Sequence, residues 1–533
     1  MTAPSRRPAL ALAAGMLILF TAIPYASFTS DVANFGLMGN DILNHGYLPT
    51  LTYGQSYLFS LTPYAYALTR TILPDWFSDI VALKVAGAMF SIPGMLLLCE
   101  GLILTQRKSG APETPAMALF VIMIAASDAY LFDVSLNSSN ETSLFLLGAL
   151  IYLTASMDLK YERGQTPGWR PWFLLGMAVI FMEYSRPMLL CFALPAVSLL
   201  SARAWRSGGA RVVAWPVAAM VAGMTIGYLP MVAHKFFRAD HWPYTFALPL
   251  VIGGGLGIGN AVGVLYHVIL PRLMTMLWNE YPVRYVITAL WLVATAALVV
   301  HTAAKDGRKA FAAADWTLFI GQFSSILVMA LIPSLSGDVG ARRYCLHLLP
   351  VVAWALCRFA FPMGRMAMAA VALSLAVALS SLAGWRDRLA YEWERNGQMA
   401  EMGTKVAPEL AALDAVFLSD YWDAYVLSFI SREAVAVEAF PWDIIRRYGY
   451  FTEEQMRRRT MWLVCEGNAH ATLNMFYDEF GPGIDAKVKS RGLKSKIMGR
   501  LCEAWELPEP DMAVRIMRKY HPGFFTTPYP PGW

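Results

Sequence analysis

Long apolar runs broken by short polar stretches fill the chain from its start to about residue 383. A first run covers about Ala9 to Phe28. Others follow at 79–104, 115–133, 141–157, 171–184, 186–202, 212–232, 284–304, 313–333, 344–361 and 365–383. Most approach the roughly 20 apolar residues that a membrane-crossing helix needs. The pattern predicts about eleven transmembrane helices. The pair 171–184 and 186–202 is nearly continuous, and Glu183, Ser185, Arg186 and Pro187 mark a tight reversal between them. After Gly384 the material changes. Val416–Ser419, Ala434–Val437 and Met461–Val464 read as strands, with helical stretches at 421–432 and 452–459 between them. That order and spacing predict a small parallel α/β domain. The expected architecture is a polytopic α-helical membrane domain, 1–383, followed by an extracytoplasmic α/β domain, 384–533.

Basic residues orient the helices. Arg107 and Lys108; Lys160, Arg163 and Arg170; Arg203, Arg206 and Arg211; Lys305, Arg308 and Lys309; and Arg358 and Arg365 fall in alternate loops. The intervening loops carry few, chiefly Arg70, Arg186, Arg342 and Arg343. Positive charge gathers on the cytoplasmic side, so loops 29–78 and 233–283 and the whole tail are expected on the outer face. Arg6 and Arg7 before the first run resemble the start of a signal peptide. The length of the run favours an uncleaved helix instead.

Composition agrees with the pattern: 57% of residues are hydrophobic, only 15% are charged, and mean hydropathy is +0.44. The net charge of +5 is too mild for a nucleic-acid surface. The six cysteines show no metal-binding spacing; Cys465 and Cys502 lie in the tail and could pair. Arg457–Arg459 and the basic stretch Lys487–Arg500 read as solvated faces, with lipid headgroup contact as the alternative.

Three polar groups stand out against this apolar background. The first is Ser30–Tyr57, where Asp31, Asn34 and Asp41 fall within an arc of about 80° on a helix ending near Gly46. Tyr53, Gln55 and Tyr57 close the stretch. An acid at Asp31 also suits a helix cap, and periodicity does not choose between these roles. The second group is Lys84, Arg186, Arg342 and Arg343, cations expected near the outer face. Charges at membrane depth face a cavity or partner, although long side chains also snorkel to the interface. The third is Asn137, Asn140 and Glu141, which either cap a helix or reach sugar hydroxyls. Gly253–Gly259 fits neither a dinucleotide fingerprint nor a Walker loop, and no hydrolase or zinc-protease motif is present.

These landmarks resemble the GT-C superfamily of membrane glycosyltransferases, in the bacterial branch related to protein O-mannosyltransferases and aminoarabinose transferases. The resemblance runs through Asp31–Met38, Asp41-Ile42-Leu43 and Tyr53–Tyr57. Ala82-Leu83-Lys84-Val85 is similar to an "Ala-Leu-Arg-Leu" element. Asn140–Thr142 with Leu146–Leu150, Arg343-Tyr344 with Leu348-Leu349-Pro350, and Asp420–Tyr425 continue it in order. Many relatives have Asp-Glu where this chain has Asp31-Val32, so Asp41 or Glu141 would have to supply any second carboxylate.

The resemblance implies a polyprenyl-phosphate sugar donor and an envelope acceptor (glycolipid, polysaccharide or protein), with inversion at the anomeric carbon. It places the protein in a bacterial inner membrane with the tail in the periplasm. Asp31 would be the general base, with Asp41 second. Lys84, Arg186, Arg342 and Arg343 would bind donor phosphate, and Asn34, Tyr53, Gln55, Tyr57, Asn140 and Glu141 would bind sugar or acceptor. Some relatives use a divalent cation, magnesium or manganese; no ligand set here demands one. The rival reading is a transporter or flippase of a lipid-linked saccharide, which would place polar residues at the bilayer middle in a repeated pattern.

Overall fold

The computed structural model describes residues 30–46, 48, 60–74, 77–109, 113–126, 138–237, 263, 282–331, 347–360, 365–441, 450–484, 487–497, 500–506, 508–509 and 511–526. The first apolar run, Asn137, Tyr53, Gln55, Tyr57, the glycine-rich 253–259 stretch, Arg342, Arg343 and the last residues lie outside the described residues.

Helix α1 (Ser30–His45) and the short α2 (Thr62–Ile72) precede the long α3 (Asp79–Ser109). Then come α4 (Glu113–Ala126), α5 (Ser138–Glu162), α6 (Trp169–Ser185), α7 (Leu190–Phe237), α8 (Pro282–Asp306), α9 (Ala313–Leu331), α10 (Leu348–Phe359) and α11 (Arg365–Glu401). The described part of every apolar segment expected after residue 79 thus falls on a helix, save for the 3-10 turn at Pro187–Leu189. Among the described residues, five stretches are long and apolar enough to cross a membrane: Asp79–Lys108, Asn140–Glu162, Pro187–Gly209, Val212–Pro230 and Ala313–Leu331. The chain is an integral, multi-pass membrane protein. The reversal expected at Arg186 is there: α6 ends on it, and Pro187–Leu189 form one 3-10 turn before α7. α7 itself breaks at Gly208–Gly209, where Gly209 takes φ 67°, a conformation that glycine adopts without steric cost.

Helices approach closely where a glycine meets the backbone of its neighbour. A Cβ on Gly148 of α5 would lie 2.2 Å from the Gly94 carbonyl oxygen of α3. A Cβ on Gly223 of α7 would lie 2.0 Å from the Phe173 carbonyl oxygen of α6. In lipid, where apolar burial between helices gives no drive, such backbone contact is a main source of cohesion. Around it lies a core containing Phe120, Trp172 and Trp354. Asp315 is buried there but satisfied: the Trp354 indole donates at 2.8 Å, the Ala312 amide at 2.8 Å, and Arg358 pairs at 3.4 Å.

α11 runs unbroken through the expected boundary at 383/384 and passes by a π-helical turn, Met402–Val406, into α12 (Ala407–Ala411). Next come β1 (Val416–Ser419), α13 (Tyr421–Ile430), β2 (Val437–Ala439), α14 (Glu453–Arg458), β3 (Thr460–Cys465), α15 (Ala469–Phe480), β4 (Lys489–Ile497), β5 (Arg500–Glu506) and α16 (Asp511–Tyr520). Strands order as β2-β1-β3-β5-β4. β1 is parallel to both β2 and β3, as the strand–helix–strand spacing predicts. β5 runs antiparallel to β3 and β4.

Two details differ from expectation. β2 starts three residues later than the apolar run, because Arg432 and Glu433 take positive φ (52° and 62°) and extend the turn. The basic stretch 487–500 is not merely a solvated face. Its Lys489–Ile497 form the edge strand β4, and Arg500 begins the antiparallel partner β5, which carries the inward residues Cys502 and Ala504. Alternating polarity of this kind marks a strand covered on one side; lysines on such an edge also deter pairing with other chains. Cys465 and Cys502 face each other across β3 and β5 and form a disulfide.

A second core decides how the two parts sit together. Val32, Ala33 and Leu37 of α1, Tyr66 of α2 and Leu83 of α3 share one apolar cluster with Phe417, Tyr421, Phe429 and Trp462 of the sheet-bearing part. A Cβ on Gly36 would lie 2.2 Å from the Phe429 ring, so α1 and α13 touch at that glycine. Arg432 reaches Asp79 at 2.7 Å, and Arg70 reaches the same carboxylate at 3.0 Å. The C-terminal part is therefore docked on the helices that carry Asp31 and Lys84.

Candidate active site

The first turn of α1 carries Asp31, half-buried, and its carboxylate accepts a hydrogen bond from the Tyr421 hydroxyl. Tyr421 opens α13, where Asp420 caps the helix by accepting from the Asp423 amide at 3.1 Å. Behind the cap, Arg500 on β5 bonds Asp420 at 2.8 Å and also bonds Asp423. Asn468 donates to Asp420 at 3.3 Å. Burial, reinforced by the charge of Asp420, lifts the Asp423 carboxyl from 3.8 to about 7 against the pull of Arg500. The hydroxyl that meets Asp31 is thus fixed by a polar network 390 residues away in sequence.

The polar arc of α1 turns inward. Asn34 and Asp41 are each 1% exposed. Asp41 pairs with His45 at 3.2 Å, and the Tyr66 hydroxyl donates to Asn40 at 3.2 Å. Burial, with Asp79 nearby, pushes the Tyr66 phenol well above its ordinary value, so it remains a donor. The Asn34 Oδ1 is buried and has no hydrogen-bond partner among the described residues, an arrangement that costs free energy unless a ligand or water completes it.

A second polar line sits at the beginning of α5. Lys84 of α3 and Glu141 are each 4% exposed, and Lys84 is the charged neighbour of Glu141. Gly87 makes room for this carboxylate: a Cβ there would meet Glu141 Oε2 at 1.9 Å. The adjacent Asn140 accepts from Arg186 at the α6–α7 reversal. His347, before α10, has Arg186 as its charged neighbour. Two cations, a carboxylate and an amide therefore converge on the first turn of one helix, whose free N–H groups and dipole also favour an anion.

Of the sequence-nominated residues, Lys84, Glu141, Asn140 and Arg186 come together, and Asp31 sits on a helix that shares an apolar core with the Lys84 helix. Asp41 is engaged with His45 instead. Tyr421, Tyr66, Arg500 and His347 were not nominated. Tyr421 and Arg500 sit hundreds of residues from Asp31, so no spacing rule reaches them.

One grouping among the described residues has metal-ligand proximity: Asp423, Cys465 and Cys502, with donor atoms within 4.8 Å. Both sulfurs are spent in the disulfide, so neither offers the thiolate a metal needs. A magnesium or manganese ion wants several oxygen ligands, and this donor set does not fit one.

Fold and site together define a multi-pass membrane protein whose C-terminal sheet-bearing part packs on α1–α3 and meets Asp31 through Tyr421. No protein-family model and no curated protein matches the chain. Similar solved structures include ArnT from Cupriavidus metallidurans in the apo state, at 14% identity and TM-score 0.37, covering 94% of this chain and 99% of that one. Another is the archaeal oligosaccharyltransferase AglB from Archaeoglobus fulgidus in complex with an inhibitory peptide and a dolichol-phosphate, at 11% identity and TM-score 0.44, covering 81% and 65%. The Archaeoglobus fulgidus oligosaccharyltransferase in the apo form gives 12% identity and TM-score 0.42, covering 83% and 66%.

Proposed function

We propose that the protein is a membrane glycosyltransferase that moves a sugar from a polyprenyl-phosphate donor to a cell-envelope acceptor on the outer face. The observation that carries this reading is Asp31, held by the Tyr421 hydroxyl on a helix that shares a core with the Lys84 helix. Asp31 takes the proton of the acceptor hydroxyl as its oxygen attacks the anomeric carbon. The bond from that carbon to the phosphate oxygen breaks, and polyprenyl phosphate leaves with the electron pair. Attack opposite the leaving group inverts the anomeric centre. Lys84 and Arg186, backed by the first turn of α5, stabilise the charge that develops on the phosphate. Asn34, with its unfilled acceptor, and Asn140 are suited to sugar or acceptor hydroxyls.

Asp31→Asn keeps the shape and the Tyr421 contact but removes the base. Purified protein would be incubated with polyprenyl-phosphate sugars and candidate envelope acceptors, with products followed by mass spectrometry. Transfer is expected to fall by roughly 10²-fold or more, the contribution of a positioned base. A variant that transfers as well as the parent would leave Asp31 as a helix cap and end this mechanism. The flippase reading predicts instead that no transfer product forms with either protein.

A further inference from the structure

A second polar cluster lies at the far end of the same helices. Lys84 and Lys108 are both on α3, 24 residues apart in sequence, which separates them by about 36 Å of helix. Glu141 begins α5, and Asp158 and Glu162 end it. That separation exceeds the roughly 30 Å hydrocarbon core of a bilayer, so the two clusters are far enough apart to sit at opposite leaflets.

There Asp158, 2% exposed, accepts from the Ala313 amide at 3.0 Å and pairs with Arg203 at 3.0 Å. Glu162 pairs with Lys108 and lies 3.6 Å from Arg203. Arg206, one helical turn beyond Arg203, makes no ion pair among the described residues. Three cations thus face two carboxylates, and the excess of one positive charge falls on Arg206. These groups open onto a cavity of about 540 Å³, a ligand-sized volume. Its other wall is apolar: Leu199 and Ala202 of α7, Phe311, and Trp316 and Ile320 of α9. Ile320 is 41% exposed at the rim, on the face where Phe323, one turn further along α9, is 69% exposed.

A site with one unbalanced cation beside an apolar wall, at the end of membrane-crossing helices, matches an amphiphile whose headgroup presents one phosphodiester anion. We propose that this cavity binds a glycerophospholipid of the surrounding leaflet. The phosphodiester is held by Arg206 and Arg203, and an acyl chain runs along Trp316 and Ile320. Basic pockets between membrane helices hold headgroups in this manner, and tryptophan suits the headgroup level. The inference does not depend on the transferase reading.

The test uses the purified, delipidated full-length protein and native mass spectrometry. Phosphatidylglycerol and phosphatidylethanolamine share the phosphodiester; diacylglycerol has the chains without it, and inorganic phosphate has the charge without chains. Both phospholipids are expected to leave a retained adduct, and diacylglycerol and phosphate none. Arg206→Ala, which removes one charge-assisted hydrogen bond, is expected to weaken the adduct roughly tenfold. Ala202→Trp, at an exposed position, should fill the cavity and do the same. Retention unchanged in both variants, or equal for diacylglycerol, would mean ordinary boundary lipid and overturn the proposal. Equal binding of phosphate alone would reduce it to an adventitious anion and overturn it as well. If a variant fails to elute as a single species, the parent decides: its thermal midpoint should rise with phospholipid and not with diacylglycerol, and no rise refutes the site.

Discussion

Replacing Gly36 by alanine would set a methyl carbon 2.2 Å from Phe429 Cε2 and 2.7 Å from its Cδ2 and Cζ. Phe429 is 1% exposed and its ring lies 5.9 Å from that of Tyr66, so it has no free space to swing into. Overpacking of this kind costs about 1–3 kcal/mol, while alanine returns up to roughly 1 kcal/mol of helix propensity over glycine. The net expectation is a loss of as much as ~2 kcal/mol. Phe429→Leu removes the clashing ring edge at the cost of a small cavity, on the order of 1 kcal/mol. In the double variant the two penalties should not add: a favourable coupling of about 1–2 kcal/mol is expected. Apparent unfolding midpoints of the four proteins in detergent, read by tryptophan fluorescence, form the cycle. Activity gives an independent readout, because the same helix pair brings Tyr421 to Asp31. Gly36→Ala should lower transfer, and Phe429→Leu should restore part of it. Strictly additive midpoints would refute the docking of α13 on α1.

Gly148→Leu in α5 should be more damaging, since the atom it meets is the Gly94 carbonyl oxygen, which cannot rotate away. Failed helix packing would be read as loss of the monodisperse fraction on size exclusion, and an unchanged elution profile would rule out the close crossing of α3 and α5. Removing the disulfide by Cys465→Ser with Cys502→Ser opens a loop with sequence separation 37, expected to cost about 4 kcal/mol in the chain-entropy account; an unchanged thermal midpoint would contradict it. Between about pH 4 and 7 the folded chain keeps a proton on Asp423 that the unfolded chain has released, so stability should fall as pH rises through that window and level off above it. Asp423→Asn should flatten this part of the profile, and parallel midpoint-against-pH curves for parent and variant would refute the assignment.

The helical frame was legible because its cause is local. Some twenty apolar residues in lipid have one way to satisfy their backbone, so the described part of each run after residue 79 is helical where the hydropathy put it. The β1 and β3 strands were legible for a related reason: both faces are covered, so their residues read as continuous apolar runs. The β4–β5 hairpin was missed because its lysines and arginines mask a weak alternation. Arg500 then became a partner of Asp420 and Asp423 through a strand pairing that no local pattern encodes.

The candidate site divides along the same line. The sequence by itself nominated Asp31, Lys84, Arg186, Asn140 and Glu141, because a charge in an apolar context is conspicuous wherever it stands and is costly without a partner. It could not say which of these meet. Only the tertiary structure decided that Lys84 and Glu141 are neighbours, that Arg186 binds Asn140, that Asp41 is engaged by His45, and that Asp31 receives its hydrogen bond from Tyr421. Those pairings depend on helix crossings at Gly94 and Gly148 and on a docking contact at Gly36. Close approach is set by a missing side chain on one segment and by what a distant segment presents to it, and hydropathy along one segment carries no record of that match.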